Sequence, residues 1–188
     1  MSALFDAARD LQNFLHSRQW RFCFIGGLAV LRWGKPRFTR DVDVTLLCPF
    51  GSEDVVVEPL LEFGYVGRIS GTREFARRSR VILIEDEAHV PIDVSLGALP
   101  FEEAMIERSS LFQFEPDCTL RTCSAEDLVI MKLFAFRPRD VGDAESVVSR
   151  QRANLDWSYM KTHLEPLVEL KDQPEILGVF EKLRRLAS

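Results

Sequence analysis

The sequence has little of what would tie it to a membrane, an oxidising compartment or a zinc site. Only four cysteines occur in 188 residues and none forms a Cys-x-x-Cys pair. This usage favours reduced core thiols over a disulfide framework and argues against zinc. No stretch approaches membrane-spanning length, and the N-terminus lacks the basic and apolar segments of a secretion signal. We therefore expect a cytoplasmic protein.

Two further absences narrow the function. The motif Gly-x-x-x-x-Gly-Lys-Ser/Thr does not occur, which excludes a P-loop nucleotide site. The formal net charge is −5, so the chain does not suit a protein that coats nucleic acid through lysine and arginine. With 46% hydrophobic and 28% charged residues and no low-complexity tract, the composition is that of a globular domain.

Hydrophobic periodicity predicts a mixed α/β region followed by a helical one. The length suits one compact body, which we divide into a core at 1–123 and a helical region at 124–188 packed on it. Strands are predicted at 22–25, 41–47, 81–84 and 90–96, with short extended segments at 111–114 and 120–122. Helices are predicted at 4–17, 28–31, 53–63, 100–108, 124–136, from 139 onward, and at 157–170 and 174–186.

Two aspartates lie on the predicted strand 41–47. Residues two apart on a strand point to the same face, so Asp41 and Asp43 project together, with Cα atoms roughly 6–7 Å apart. Paired carboxylates of this kind bind Mg²⁺ or Mn²⁺, and they repel each other unless a cation lies between them. The plain alternative is the solvent face of an edge strand, although aspartate is a poor strand former.

A glycine pair and a third aspartate could belong to the same site as Asp41 and Asp43. Gly26-Gly27 follows a predicted strand and precedes a helix, where glycines let backbone N–H groups approach a phosphate, but the same dipeptide also makes an ordinary tight turn. Asp93 is a lone carboxylate in an apolar strand. If that strand neighbours 41–47, three carboxylates meet, whereas a surface-facing aspartate is the alternative.

Basic residues crowd two short stretches of the first half of the chain. A basic rim around an acidic pocket suits a polyphosphate that is held through metal ions. The residues are Arg32, Lys35, Arg37 and Arg40, then Arg68, Arg73, Arg77, Arg78 and Arg80.

The ordered set of motifs resembles a known superfamily. Ile25-Gly26-Gly27, Asp41-Val42-Asp43-Val44 and Ile92-Asp93-Val94 resemble the signature of the DNA polymerase β-like nucleotidyltransferases. More closely, Gly26-Gly27-Leu28-Ala29 with Arg37-Phe38-Thr39-Arg40-Asp41-Val42-Asp43 resembles AbiEii and MenT-type nucleotidyltransferases, many of them toxins of toxin–antitoxin pairs. A later part of the sequence resembles the family's C-terminal motif. The matching residues are Ser124-Ala125-Glu126-Asp127-Leu128, Lys132, Ala135 and the run Arg137-Pro138-Arg139-Asp140-Val141-Gly142-Asp143. The resemblance covers roughly residues 22–143.

This resemblance implies a nucleotidyltransferase fold of the α+β class and a role for each matching residue. Metal ligands would be Asp41, Asp43 and Asp93, and the catalytic set would comprise these carboxylates, with Asp93 as base, and Lys132. Nucleotide contacts would come from Gly26, Gly27, Arg37, Thr39, Lys132 and Arg139. Asp140 and Asp143 belong to the family motif with an unclear role. One of these two aspartates could fix Lys132 or Arg37 through an ion pair. Alternatively, Asp140 could only interact favourably with the dipole at the start of a helix.

The expected activity is Mg²⁺- or Mn²⁺-dependent transfer of a nucleoside monophosphate from a nucleoside triphosphate to a hydroxyl. The acceptor would be RNA, a tRNA 3′ end or protein, and a cognate antitoxin is an expected partner. One alternative is a catalytically silent binding module of the same fold. The other is a haloacid dehalogenase-like phosphatase, since Asp41-Val42-Asp43-Val44-Thr45 fits its Asp-x-Asp-x-Thr motif. That motif should follow an apolar strand, and Arg37-Phe38-Thr39-Arg40 precedes it here.

Overall fold

The computed structural model describes residues 3–187, which form two compact units. The first unit runs to Leu28 and resumes from Phe38 to Cys123. The second consists of Ala29–Arg37 together with the chain from Ser124 onward. Within residues 3–187, every strand belongs to the first unit, and the second is helical.

A seven-stranded mixed sheet forms the centre of the first unit, with the strand order β3-β4-β5-β2-β1-β7-β6. The pairs β2–β5 and β1–β7 are parallel and the other neighbours are antiparallel. The strands are β1 Phe22–Phe24, β2 Val42–Leu47, β3 Val66–Gly67, β4 Val81–Glu85, β5 Pro91–Gly97, β6 Ser110–Glu115 and β7 Cys118–Thr122.

Alternating burial along the central strands explains their sequences. Val42 and Val44 in β2, and Ile92 and Val94 in β5, are fully buried. Because neighbours along a strand point to opposite faces, the residues between them lie on the other face of the sheet. The helices of this unit are α1 Ala3–Ser17, α2 Gly26–Trp33, of which residues 29–33 belong to the second unit, α3 Glu53–Phe63, α4 Thr72–Ser79 and α5 Pro100–Arg108.

The second unit is a helical body in which α6 packs against α7, α8 and α9. The Ser124 hydroxyl caps α6 by accepting a hydrogen bond from the Asp127 backbone N–H at 3.1 Å. The Gln151 side chain donates to the Trp33 carbonyl at 2.8 Å, which ties the segment 29–37 to α7 within this unit. The helices are α6 Ala125–Ala135, α7 Pro138–Gln151, α8 Trp157–Lys171 and α9 Glu175–Ala187, with a 3-10 turn at Arg152–Asn154.

The predicted fold class, mixed α and β with a helical C-terminal region, is confirmed. Some boundaries differ: β2 begins at Val42, so Asp41 precedes the strand, and Gly26-Gly27 form the first turn of α2. The elements β3 and α4 occupy a stretch that carries no clear hydrophobic period. Of the helices in residues 3–187, none is long and apolar enough to cross a membrane.

Candidate active site

The parallel pairing of β2 with β5 brings two of the predicted site residues side by side. Asp43 is the register partner of Asp93. Register partners on adjacent parallel strands project from the same face, so both carboxylates belong to one patch of the sheet surface. Asp41 lies one residue before β2, and its charge contributes to raising the pKa of Asp93. The three carboxylates therefore occupy one region of the first unit.

The two glycines lie directly against this region. The Ile25 backbone N–H donates to the Asp43 carbonyl at 2.9 Å, and the Gly27 N–H donates to Asp43 Oδ2 at 3.4 Å. Gly26 has φ +54°, and a Cβ there would overlap the Asp43 side chain. A Cβ on Gly27 would overlap the side chain of Thr39. Close approach of other groups, rather than the turn alone, requires glycine at both positions.

Thr39 joins the loop before β2 to the first aspartate. Its buried hydroxyl donates to Asp41 Oδ1 at 2.8 Å. Asp41 lies outside the strand, where backbone pairing does not fix its orientation, so this hydrogen bond holds the carboxylate in place. Thr39 was predicted as a phosphate contact; its observed partner is a predicted metal ligand.

Asp93 has a partner that sequence reasoning missed. Arg68, immediately after β3, donates through Nη2 to Asp93 Oδ1. Burial raises the pKa of Asp93, the Arg68 charge opposes that rise, and Asp41 adds to it. Arg68 appears in the sequence only as one member of a basic run. The pairing depends on β3 lying beside β4, whose Leu83 carbonyl receives the Arg68 N–H.

The chemistry of the donors fits a magnesium or manganese ion, because every candidate ligand is a carboxylate oxygen. In the present side-chain arrangement, no group of three or more acidic, histidine or cysteine side chains among residues 3–187 converges as a metal cluster. Instead Asp41 accepts from Thr39, Asp43 from Gly27 and Asp93 from Arg68. The backbone register fits a shared ion, and the side chains are turned toward protein donors.

The second unit contains its own charged cluster. Lys132 Nζ lies 2.7 Å from Asp140 Oδ1 and 3.0 Å from Asp143 Oδ2. Arg37 pairs with Asp143 through two hydrogen bonds, from Nε at 2.7 Å and Nη2 at 2.8 Å. Both aspartates are buried, so the ion-pair role considered for them is the one present. Arg139 is exposed in the first turn of α7.

Opposing effects set the protonation of Asp143. Burial raises its pKa, but the hydrogen bonds from Arg37 and Lys132, together with their positive charges, outweigh burial and hold the pKa below its ordinary value. The carboxylate therefore stays ionised, and its charge balances the two buried or half-buried cations. The ion pairs with Asp140 and Asp143 offset the cost of burying the Lys132 ammonium group in an otherwise apolar helix.

Several arginines of the expected basic rim serve the fold instead. Arg73 pairs with Glu58 and Arg77 with Asp54, which ties α4 to α3. Arg80 pairs with Glu53 and also donates to two backbone carbonyls, those of Leu96 and Cys48. The second basic stretch is therefore largely occupied by structural partners, and Arg68 is its member at the candidate site.

Comparison with known proteins decides the family. Residues 9–157 match the family model of the nucleotidyl transferase AbiEii toxin of type IV toxin–antitoxin systems. The chain belongs to the AbiEii family. The resemblance noted in the motifs is thereby confirmed, and the chain is a nucleotidyltransferase. The alternative of a haloacid dehalogenase-like phosphatase does not agree with this family.

Solved structures agree on the fold of this AbiEii-family chain. An antigenic nucleotidyltransferase-like protein from Paracoccidioides brasiliensis superposes with a TM-score of 0.53 at 12% identity, covering 94% of this chain and 91% of that one. The antibiotic-resistance factor ANT(2'')-Ia, solved in solution, gives a TM-score of 0.57 at 11% identity, covering 91% and 94%. No curated protein sequence matches the chain.

Proposed function

We propose that this AbiEii-family chain moves a nucleoside monophosphate from a nucleoside triphosphate to a hydroxyl group, using a divalent metal held by Asp41, Asp43 and Asp93. The observation that carries the proposal is the register of Asp43 opposite Asp93 in the parallel pair β2–β5. It gives the Asp-x-Asp pair a third carboxylate from a distant part of the chain, on the same face. Three such oxygen donors suit Mg²⁺ or Mn²⁺.

When bound, Mg²⁺ would neutralise charge on the triphosphate and acidify the acceptor hydroxyl. The acceptor oxygen then bonds to the α-phosphorus, the bond from that phosphorus to the bridging oxygen breaks, and pyrophosphate leaves. Asp93 receives the hydroxyl proton as general base. This transfer uses no covalent enzyme intermediate, in keeping with His16, His89 and His163 lying outside the motifs.

Phosphate binding in this proposal rests on the start of α2. The backbone N–H groups of Gly26 and Gly27 lie at the positive end of the helix, where phosphate oxygens are stabilised. Thr39 keeps Asp41 oriented through their hydrogen bond. The contributions of Arg37, Lys132 and Arg139 to nucleotide binding rest on the family motif alone, and Asp140 and Asp143 would orient Lys132 and Arg37.

The proposed acceptor is the hydroxyl of an RNA or tRNA 3′ end, or of a protein side chain, in keeping with a toxin that modifies a cellular component. The partner in the cell would be a cognate antitoxin, as expected for a toxin–antitoxin family. The phosphatase alternative gains nothing from the fold, because β2 begins after Asp41 and residues 34–41 form no strand. A silent module would have no need of all three carboxylates.

The test is incubation of the full chain with each α-labelled nucleoside triphosphate, Mg²⁺, and total RNA or lysate protein. We expect the wild type to label one acceptor class, and Asp41→Asn and Asp93→Asn to lower the rate at least about 100-fold. Transfer that persists in both variants would refute the site. No transfer to any acceptor from any of the nucleotides would refute the reaction.

Two glycine-to-alanine variants test the role of the start of α2. Gly27→Ala should abolish transfer, because the new Cβ collides with Thr39 where the phosphate would approach. Gly178→Ala is the matched control: it lies in α9 with open space around its Cα, so transfer should be unchanged and stability should rise by up to about 1 kcal/mol. Equal activity of Gly27→Ala and Gly178→Ala would contradict the role of the α2 start.

A further inference from the structure

A cavity of about 750 Å³ opens in the first unit among α1, the end of α3 and the turn between β4 and β5. Its volume falls in the range of pockets that bind small organic ligands, about 300–1,000 Å³. Asp41, Asp43 and Asp93 are not among the residues that line it. The family motifs do not include its walls, and the proposed transfer reaction makes no use of it.

One wall of the cavity is aromatic. Phe63, at the end of α3, is 59% exposed. Its ring is supported by Phe14 at 4.5 Å and by Tyr65 at 5.7 Å between centroids. A large apolar ring held in place yet left open to solvent provides a fixed stacking surface.

The charged part of the lining is acidic. Asp6, Asp10, Asp86 and Glu87 contribute carboxylates, and no lysine, arginine or histidine from residues 3–187 lines the cavity. Arg9 pairs with Asp6 at 2.9 Å and with Asp10 at 3.5 Å, so these two are partly neutralised. The β4–β5 turn therefore supplies most of the uncompensated negative charge.

The turn holds its carboxylate in a fixed position. Asp86 Oδ1 accepts hydrogen bonds from the backbone N–H groups of Ala88, at 3.0 Å, and Val90, at 2.8 Å. Glu87 follows it and is exposed. Because Asp86 is already held in place, it can accept a hydrogen bond from a cationic group with little further ordering, and the exposed Glu87 can add a second acceptor.

Tyr65 adds an independent sign of a ligand. The side chain lines the cavity and the residue is only 7% exposed, yet its hydroxyl has no hydrogen-bond partner within residues 3–187. Burial raises the pKa of Tyr65, and the charges of Asp10 and Asp86 raise it further, so the hydroxyl keeps its proton. The hydroxyl oxygen itself is open to the cavity, so its proton is available to a ligand there.

We propose that this cavity binds a small organic cation whose amino or amidinium group lies beside Asp86 and Glu87 and whose flat apolar body stacks on Phe63. The cation would satisfy the carboxylates, and its face would cover the exposed ring through stacking and cation–π attraction. Nucleotides and RNA are excluded because their phosphates would meet carboxylates of the same sign. The volume of about 750 Å³ matches that of pockets for small organic molecules.

The first test compares two probes of equal shape and different charge, benzamidine and neutral benzamide. The full-length ¹⁵N-labelled protein is titrated at neutral pH, and the backbone amide signals of Gly64, Glu87 and Ala88 are followed by NMR. We expect saturable shifts with benzamidine and at least about tenfold weaker binding of benzamide, because neutral benzamide makes neither the ion pair nor the cation–π contact. Equal affinity, or no saturable shift, overturns the proposal.

Variants then locate the site. Phe63→Ala and the double change Asp86→Asn with Glu87→Gln should each weaken benzamidine binding about tenfold, whereas the matched controls Phe50→Ala and Asp117→Asn should not change it. Phe50 is 68% exposed elsewhere on the unit, and Asp117 lies in the β6–β7 turn. Circular dichroism checks that each variant is folded. Among folded variants, Phe63→Leu should bind benzamidine more tightly than Phe63→Ala.

The outcome is independent of the transferase proposal. Asp93→Asn should leave benzamidine binding unchanged, because Asp93 is outside the lining. Unchanged binding in Phe63→Ala and in the double variant, or loss of binding in Asp93→Asn, would overturn the assignment of the cation to this cavity.

Discussion

At the scale of single residues, Arg68 acts on the candidate site from outside the family motifs. Its guanidinium donates to Asp93 Oδ1, an oxygen that a divalent cation would also need. Two cationic groups that use the same oxygen compete, so whatever stabilises the ion pair lowers the affinity of the carboxylates for a metal.

Replacing this arginine should therefore strengthen metal binding. We expect Arg68→Gln to raise the affinity for Mn²⁺ about three- to tenfold, which corresponds to about 1 kcal/mol for a half-exposed ion pair. Isothermal titration calorimetry or the Mn²⁺ electron paramagnetic resonance signal measures this directly, without a turnover assay.

Arg73→Gln is the control for the arginine. It removes the same charge from the same part of the chain, but its partner is Glu58 on α3. Unchanged or weaker Mn²⁺ binding by Arg68→Gln, with Arg73→Gln unaffected, would show that Arg68 assists the metal rather than competing with it.

Single residues also mark the limit of what the sequence predicts about the site. Asp43 and Asp93 could be located because each interrupts an apolar strand, and the order of motifs pointed to a family. The contacts of Thr39 with Asp41 and of Arg68 with Asp93 could not be located, because they depend on loop geometry and on a two-residue strand without a pattern. The roles of all these residues stay predictions until the variants are measured.

At the scale of secondary-structure elements, α6 and α7 are joined by charge as well as by apolar packing. Lys132 on α6 reaches Asp140 and Asp143 on α7, and Arg37 reaches Asp143 from the segment before β2. Removing the charge of Asp143 leaves Arg37 without this partner and Lys132 with only one carboxylate. We expect Asp143→Asn to lower the free energy of unfolding by about 2 kcal/mol, less than for a fully buried pair because Arg37 is partly exposed.

This loss should depend on pH in a defined direction. Because the folded-state pKa of Asp143 is lowered, its ionised form stabilises the fold above the ordinary aspartate pKa of about 4. The contribution then disappears as the pH falls through the lowered value. Urea unfolding followed by circular dichroism should show a gap between wild type and Asp143→Asn that is constant from pH 7 to about 5 and narrows below about 4.

Glu145→Gln provides the comparison on the same helix, since Glu145 is exposed. It should change the free energy of unfolding by less than about 0.5 kcal/mol. A gap for Asp143→Asn that widens in acid would mean that the carboxyl is protonated in the folded protein, against the expected direction.

Elements with a clear hydrophobic period were predictable and those held by charge were not. The helices α1 and α3 and the hairpin β4–β5 follow the predicted ranges closely, because their apolar residues recur at the period of a buried face. The helix α4 carries four charged residues in eight positions and is tied to α3 through Arg73 and Arg77. Such a helix has no apolar stripe long enough to reveal it.

At the scale of the whole molecule, membership of a toxin family has a consequence for growth. Expression of the wild-type chain without an antitoxin should arrest bacterial growth, because a nucleotidyltransferase that modifies an essential acceptor removes it from use. Asp41→Asn should permit growth at the same protein level. Colony counts after induction, with immunoblots for protein amount, measure the effect.

A control separates toxicity by catalysis from toxicity by mere overproduction. Asp117→Asn, a change in the β6–β7 turn, should arrest growth as the wild type does. Arrest by Asp41→Asn as well would show that the chain acts on growth without transferring a nucleotide.

The place of Ala29–Arg37 in the second unit could not be predicted from the sequence. Composition changes near Ser124, but nothing in the sequence of Ala29–Arg37 shows that it packs with helices that follow much later. Ala29 and Val30 are fully buried, and their helix α2 begins in the unit that contains the strands. Long-range packing of a short apolar segment leaves no local signal.

The discontinuous second unit has a consequence for synthesis on the ribosome. The segment Ala29–Arg37 emerges well before Ser124 and the helices with which it packs. Translation proceeds at about 5–20 residues per second, so several seconds pass before the helices that pack on this segment have been synthesised. During that interval the nascent chain exposes this short apolar segment, so we expect a chaperone that recognises short hydrophobic segments to bind it.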